Sequence, residues 1–220
     1  MKGRFDTALA AARWLGTKEG SRAHREILAA YNGIKPLPRG YRLGEKDPWC
    51  AGFVSAVALM VGTGEQYPLE CSCSRIIEKA KVMGIWVEDD RHVPQIGDWV
   101  LYDWQGEGDS DCTGAPDHVG IVIGSENGEL LVVEGNYDNM VKLRRIPVND
   151  GKIRGYVCPE FEEEETVMRY HTLEEVPGYA RATIEKLMKD GSLVGIGEED
   201  LGLSEELIRI LVILDRKGVI

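Results

Sequence analysis

No stretch of the 220 residues approaches the roughly 18 to 20 consecutive apolar residues of a membrane span, so membrane insertion is not expected. Positive charge is also scarce. Lys and Arg number 26 against 37 Asp and Glu, and the net charge of −11 leaves no basic face for neutralising phosphates, so no nucleic-acid partner is expected. An export signal is missing from the opening Met1–Gly16: its apolar run is just Ala8-Leu-Ala-Ala-Ala12, broken by Arg13, and it reads as an amphipathic helix. Synthesis in the cytoplasm without a signal peptide is the expectation. The five cysteines (Cys50, Cys71, Cys73, Cys112, Cys158) form an odd set without framework-like spacing, so some are free thiols. Histidine is rare as well, and any imidazole base must be His24, His92, His118 or His171.

The length and the 43% hydrophobic content suit one well-buried domain with a small appendage. Acidity is concentrated at the end: residues 160–220 carry 15 acids and 7 bases, which leaves −3 for residues 1–159. Helices are predicted from Ser21, a capping residue, to Asn32 with Gly33 as a left-handed stop, from Cys50 to Gly62, and after Ser74 to Gly84. Beyond Pro94 the period becomes that of strands, over 97–104, 118–124, 130–136, 140–146 and 153–158. Helices followed by an antiparallel sheet define an α+β fold. The run 160–166 reads as an acidic linker between a domain at 1–159 and a helical tail at 167–220. In that tail, helices over 177–190 and 204–217 are expected to pair Tyr179, Ile184, Leu187 and Met188 with Leu207, Ile210, Leu211 and Leu214. So small a hairpin buries little alone and is expected to dock on the first domain, a second copy or a ligand.

A thiol attacks as thiolate, and the first turn of a helix favours that charge through its free N–H groups. Cys50 is placed there, behind the restricting Asp47-Pro48-Trp49 lead-in, although a buried structural cysteine is an equal reading of position alone. His118 tips the balance. If Glu126-Asn127-Gly128 forms a three-residue loop, His118 faces Asn136 and Glu134 lies diagonally on the same side, so either can hold the imidazole in the tautomer that takes a thiol proton. A two-residue loop would invert that parity. The other three histidines read as surface or packing residues.

Four ordered blocks carry a family resemblance: Asp47-Pro-Trp-Cys-Ala-Gly-Phe-Val-Ser-Ala-Val57, Gly97-Asp-Trp-Val-Leu-Tyr-Asp-Trp104, Asp117-His-Val-Gly-Ile-Val122 and Val133-Glu-Gly-Asn136. Over about residues 20–159 the chain resembles CHAP domains, the papain-like cysteine, histidine-dependent amidohydrolases and peptidases of phage endolysins and wall-remodelling enzymes. The resemblance implies Cys50 as nucleophile, His118 as base, and Glu134 and Asn136 as its orienting groups, with the choice between those two open. It implies peptidoglycan as partner, an acyl-thioester pathway, no required cofactor, and action at the cell wall after holin-type release or lysis. The backbone N–H of Cys50 is the natural oxyanion donor. The tail helices resemble, more distantly, the S-layer-homology-like tails of prophage amidases, which leaves wall binding or homo-oligomer formation as roles.

Asp109-Ser-Asp111-Cys-Thr-Gly114, with Asp117, partly matches a calcium loop, yet the twelfth position is Gly120 where Glu is needed. A solvated acidic loop is the first reading, with calcium at Asp109, Asp111 and Asp117 the alternative. Cys71-Ser-Cys73 lacks a second Cys/His pair for a metal and reads as a helix start. Two other functions fit the same blocks: a non-catalytic wall-binding or phage structural protein that retains the fold, and an acyl transferase that uses the same thioester.

Overall fold

A computed structural model describes residues 3–89, 91–105, 114–161, 169–193 and 200–220. Cys112, Asp109 and Asp111 lie outside these residues, as does most of the acidic run 160–166. The chain divides into two compact units, residues 1–161 and 162–220.

In the first unit four helices precede the main strands: α1 (Arg4–Arg13), α2 (Arg22–Asn32), α3 (Cys50–Val61) and α4 (Cys73–Met83). Ser21 caps α2, its hydroxyl accepting from His24 N–H at 3.1 Å, and Ile27, Leu28 and Tyr31 turn into the core. Gly33 does not supply the expected left-handed stop. It stays right-handed at φ −83°, its N–H reaching back to the last-turn carbonyls, whereas Gly62 and Gly84 close α3 and α4 in the left-handed region. α3 is apolar on all sides and is buried from Cys50 to Ala58, which makes it the central helix of the unit.

The strands are β1 (Trp86–Val87), β2 (Trp99–Tyr102), β3 (His118–Glu126), β4 (Glu129–Tyr137), β5 (Met140–Pro147) and β6 (Ile153–Val157). They form one antiparallel sheet in the order β1-β6-β2-β3-β4-β5, with the helices packed against it, the α+β plan expected from the sequence.

The β3–β4 hairpin corrects the predicted loop. Glu126 pairs with Glu129, so the loop is the two residues Asn127 and Gly128, both at positive φ as a tight primed turn demands. That loop alone would have sent Asn136 and Glu134 to the wrong faces. A β-bulge between Val122 and Gly124 inserts Ile123 as an extra residue and restores the other parity, so that Ile121 pairs with Val133.

In the second unit β7 (Arg169–Tyr170) pairs antiparallel with β8 (Leu203–Ser204), beside α5 (Arg181–Lys189) and α6 (Glu205–Arg216). α5 starts four residues later than predicted, since Pro177–Ala180 forms a turn closed by Ala180 N–H on the Pro177 carbonyl. Tyr179 and Met188 are exposed rather than packed. The unit's own core gathers Val176, Ala180, Ile184, Leu201, Leu203, Ile208 and Val212, so β8 and its lead-in supply apolar cover that two helices alone lack.

Candidate active site

Cys50 is the first residue of α3, with Trp49 as N-cap. Trp49 is fully buried, edge-on to Phe53 at 6.3 Å and against the ring of His24 at 4.6 Å, so the approach to the helix is anchored by packing. One glycine lets this helix close on β4, and a second makes room for Glu134 between β3 and β4. A Cβ on Gly135 would lie 2.4 Å from that of Phe53 in α3, and one on Gly120 would meet Val132 and Glu134 at 2.4 and 2.7 Å. Any larger residue at Gly135 pushes α3 away from β4 and the thiol away from the strand that carries the base.

His118 opens β3 opposite Tyr102, with its ring near those of Tyr102 and Trp104. Its Nε2 lies 3.1 Å from Oε2 of Glu134, a fully buried carboxylate on β4. Asn136 was the other predicted orienting group. It sits at φ 60° where β4 leaves its register with β5, and among the described residues no hydrogen bond joins it to His118.

Arg144, which sequence reasoning missed, completes the carboxylate's environment. On β5 it lies diagonal to Glu134, since Glu134 pairs with Lys142. Its Nε donates to Oε1 at 2.6 Å and its Nη2 to Oε2 at 2.9 Å, a two-pronged clamp. The guanidinium in turn lies over the rings of Tyr137, Trp104 and Tyr102 at 4.1, 4.7 and 5.7 Å.

Cys73 was read from sequence as a helix start, and it is the first residue of α4. It is also a neighbour of the candidate nucleophile, with its sulfur 4.0 Å from that of Cys50. The two-residue spacing from Cys71 carries no signal of this. Cys71 itself accepts from Arg39 Nη2 at 3.1 Å.

The charges follow from this arrangement. The Cys50 thiol is held well below its ordinary pKa, first by the Cys73 S–H, then against burial by His118 and the Ala51 N–H. Cys73 is pushed well above its ordinary value by Cys50 and by burial. Burial works to lower the His118 pKa, but Cys50 and Glu134 outweigh it and raise it to about 9. Glu134 stays low although burial opposes ionisation, because His118 and Arg144 favour its charge. An anionic sulfur beside an imidazolium backed by a carboxylate is an ion pair fit for nucleophilic attack followed by proton return.

The other candidates are occupied elsewhere. His24 is buried, its Nδ1 accepting from Gly20 N–H at 3.1 Å. His171, in the second unit, pairs with Asp200 at 2.8 Å. Of the calcium residues, Asp117 alone is described, and its two oxygens accept from the Trp104 N–H and the Gln105 amide at 2.8 and 2.9 Å. His92, Asp98 and Cys158 bring ligand atoms within 4.8 Å of one another, but Arg4 already occupies Asp98 as its counter-charge.

Residues 42–136 match the CHAP domain model, a stretch running from the approach to α3 through Cys50, His118 and Glu134 to Asn136. Over this segment the chain is similar to a CHAP domain. Among curated proteins and solved structures, no match to the chain is found. The CHAP domain is a papain-like amidase/peptidase domain, typically a cysteine-dependent hydrolase, and it implies peptidoglycan hydrolase activity at the cell wall. The matched stretch is shorter than the 20–159 over which the blocks resemble the family, and it leaves out Arg144.

Proposed function

We propose that this chain hydrolyses an amide or peptide bond in the peptide part of bacterial peptidoglycan through a thioester on Cys50. The observation that carries the reading is the Cys50 thiol at the start of α3, coupled to an imidazole whose Nε2 is held by the clamped carboxylate of Glu134. With Nε2–H committed to Glu134, Nδ1 is the nitrogen that exchanges a proton with the thiol. Cys50 thiolate attacks the carbonyl carbon, and the resulting oxyanion is met by the Cys50 backbone N–H, which has no acceptor within the helix. Collapse expels the amine, which takes its proton from the His118 imidazolium. His118 then removes a proton from water, which attacks the thioester and frees the acid and the thiolate. Glu134 orients His118, and Arg144 positions Glu134.

We place the chain among endolysins of phage or prophage origin, with residues 162–220 as a module that binds wall or a second copy. Mass spectrometry of purified peptidoglycan after digestion tests the bond. New amino groups on alanine released from the glycan mark an amidase, and new termini within stems or cross-bridges mark an endopeptidase. Intact wall after prolonged incubation with folded protein would overturn the reading.

A further inference from the structure

We propose that Cys50 and Cys73 form a reversible disulfide that caps the nucleophile, so that the site is active when reduced and closed when oxidised. The proposal rests on the reading of Cys50 as nucleophile for its consequence, though not for its chemistry. Both sulfurs belong to the first residue of a helix, both residues are buried, and the sulfurs are in contact at 4.0 Å. A disulfide needs about 2 Å between sulfurs, so the two must approach by about half of their present separation. The other described thiols are engaged elsewhere: Cys71 with Arg39, Cys158 with His92.

The chemistry is thiol–disulfide exchange with a small-molecule disulfide as oxidant. The Cys50 thiolate attacks one sulfur of that disulfide and expels the other half as a thiolate, leaving a mixed disulfide on Cys50. Cys73 gives its proton to the expelled thiolate and attacks the Cys50 sulfur. The Cys50–Cys73 bond forms, and the second half leaves and takes up the proton that His118 had held against the thiolate. Two protein thiols are oxidised and one small disulfide is reduced to two thiols. Cys73 is a poor nucleophile at rest because the neighbouring thiolate holds its proton on. Capping Cys50 removes that charge and releases Cys73 for the second step. The arrangement therefore orders the reaction, with Cys50 attacking first and Cys73 resolving.

The test equilibrates the full chain with mixtures of oxidised and reduced glutathione, quenches in acid, and maps the thiols by mass spectrometry. Wild type should lose two hydrogens of mass and yield a peptide linking Cys50 to Cys73, with wall hydrolysis falling as that species grows and returning on reduction. In Cys73→Ala, or in Cys73→Ser should the alanine variant fail to fold, glutathione should remain attached to Cys50. Free Cys50 and Cys73 at every ratio, or the same lasting adduct in wild type as in the variant, would overturn the proposal. The thiol map is independent of hydrolysis, so an inert reduced protein that still forms the link would sink the proposed function and leave the disulfide standing.

Discussion

Among its described residues the first unit holds two clusters of cysteine, histidine and carboxylate, and they behave in opposite ways. In one, Glu134 stands behind His118, and the thiol of Cys50 meets the imidazole at a helix start. In the other, Cys158 follows the end of β6, its sulfur 3.3 Å from His92 Nε2, with Asp98 beside the sulfur itself. Burial and then the Asp98 charge push the Cys158 thiol far up, so it stays protonated. Arg4 is spent on Asp98 and on the Pro159 carbonyl, tying the start of the chain to the end of the sheet. Residue types alone thus do not make a nucleophile. A carboxylate behind the histidine stabilises the imidazolium that a thiolate needs, while a carboxylate beside the thiol opposes the thiolate directly.

The sharpest way to break this contrast is to delete each sulfur. Cys50→Ala should lower turnover on wall fragments by about 10³-fold or more while the protein remains folded. Cys158→Ala should leave turnover near wild type and cost about 1 kcal/mol of stability in denaturant unfolding. An inactive but folded Cys158→Ala protein would show that the second cluster takes part in the chemistry.

The difference between the clusters was partly legible in the sequence. Cys50 announces itself through local signals: a proline-restricted approach, a 3.6-residue apolar period, and a glycine stop at Gly62. His118 and Glu134 were placed on one face by counting across a hairpin, and there the loop length was wrong. The bulge at Ile123 compensated for it, and a bulge leaves little mark in an alternating apolar strand because it is defined by the partner's register. Cys73 and Arg144 were illegible for a related reason. Each reaches the site through the packing of an element whose own pattern is ordinary, α4 against α3 and β5 beside β4. The inertness of Cys158 depends on burial and on the charge of Asp98, brought to the sulfur from a distant part of the chain, with Arg4 acting against it.

Removing the carboxylate behind the imidazole should bring the first cluster closer to the second. Glu134→Gln keeps the shape but deletes the charge, so turnover should fall by about 10²-fold or more. The His118 pKa should drop from about 9 toward its ordinary value. Activity that needs the imidazolium is lost as pH rises through that pKa, so the alkaline limb of kcat/KM should move to lower pH in the variant. Stability follows the same sign. A raised histidine pKa stabilises the folded state fully below about pH 6.5 and loses that contribution as pH rises through about 9, so Glu134→Gln should flatten that slope. Asn136→Gly, chosen because residue 136 sits at positive φ, should have a smaller effect and leave the alkaline limb in place. A limb displaced by Asn136→Gly and not by Glu134→Gln would exchange their roles.

The smallest effect is expected from removing the second unit, because both clusters lie wholly within residues 1–161. The cut must fall after Phe161. Its ring lies 5.4 Å from the Arg4 guanidinium and 6.1 Å from the ring of Tyr67, so it helps fix the arginine that holds Asp98. A chain ending at Phe161 should keep near-normal turnover on a soluble muropeptide, with Cys50 and Cys158 as different in alkylation rate as before. Binding to insoluble wall, or the oligomeric state seen by light scattering, should change instead if the second unit is an attachment module. Phe161→Ala in that same chain should differ from it in one respect. With the Phe161 ring gone, Arg4 is held less firmly, the charge that favours the Cys158 thiolate is weakened, and Cys158 should alkylate more slowly while Cys50 does not change. Equal changes at both thiols in a still-folded protein would mean that the two clusters are not independent, and the contrast drawn between them would have to be explained by the unit as a whole.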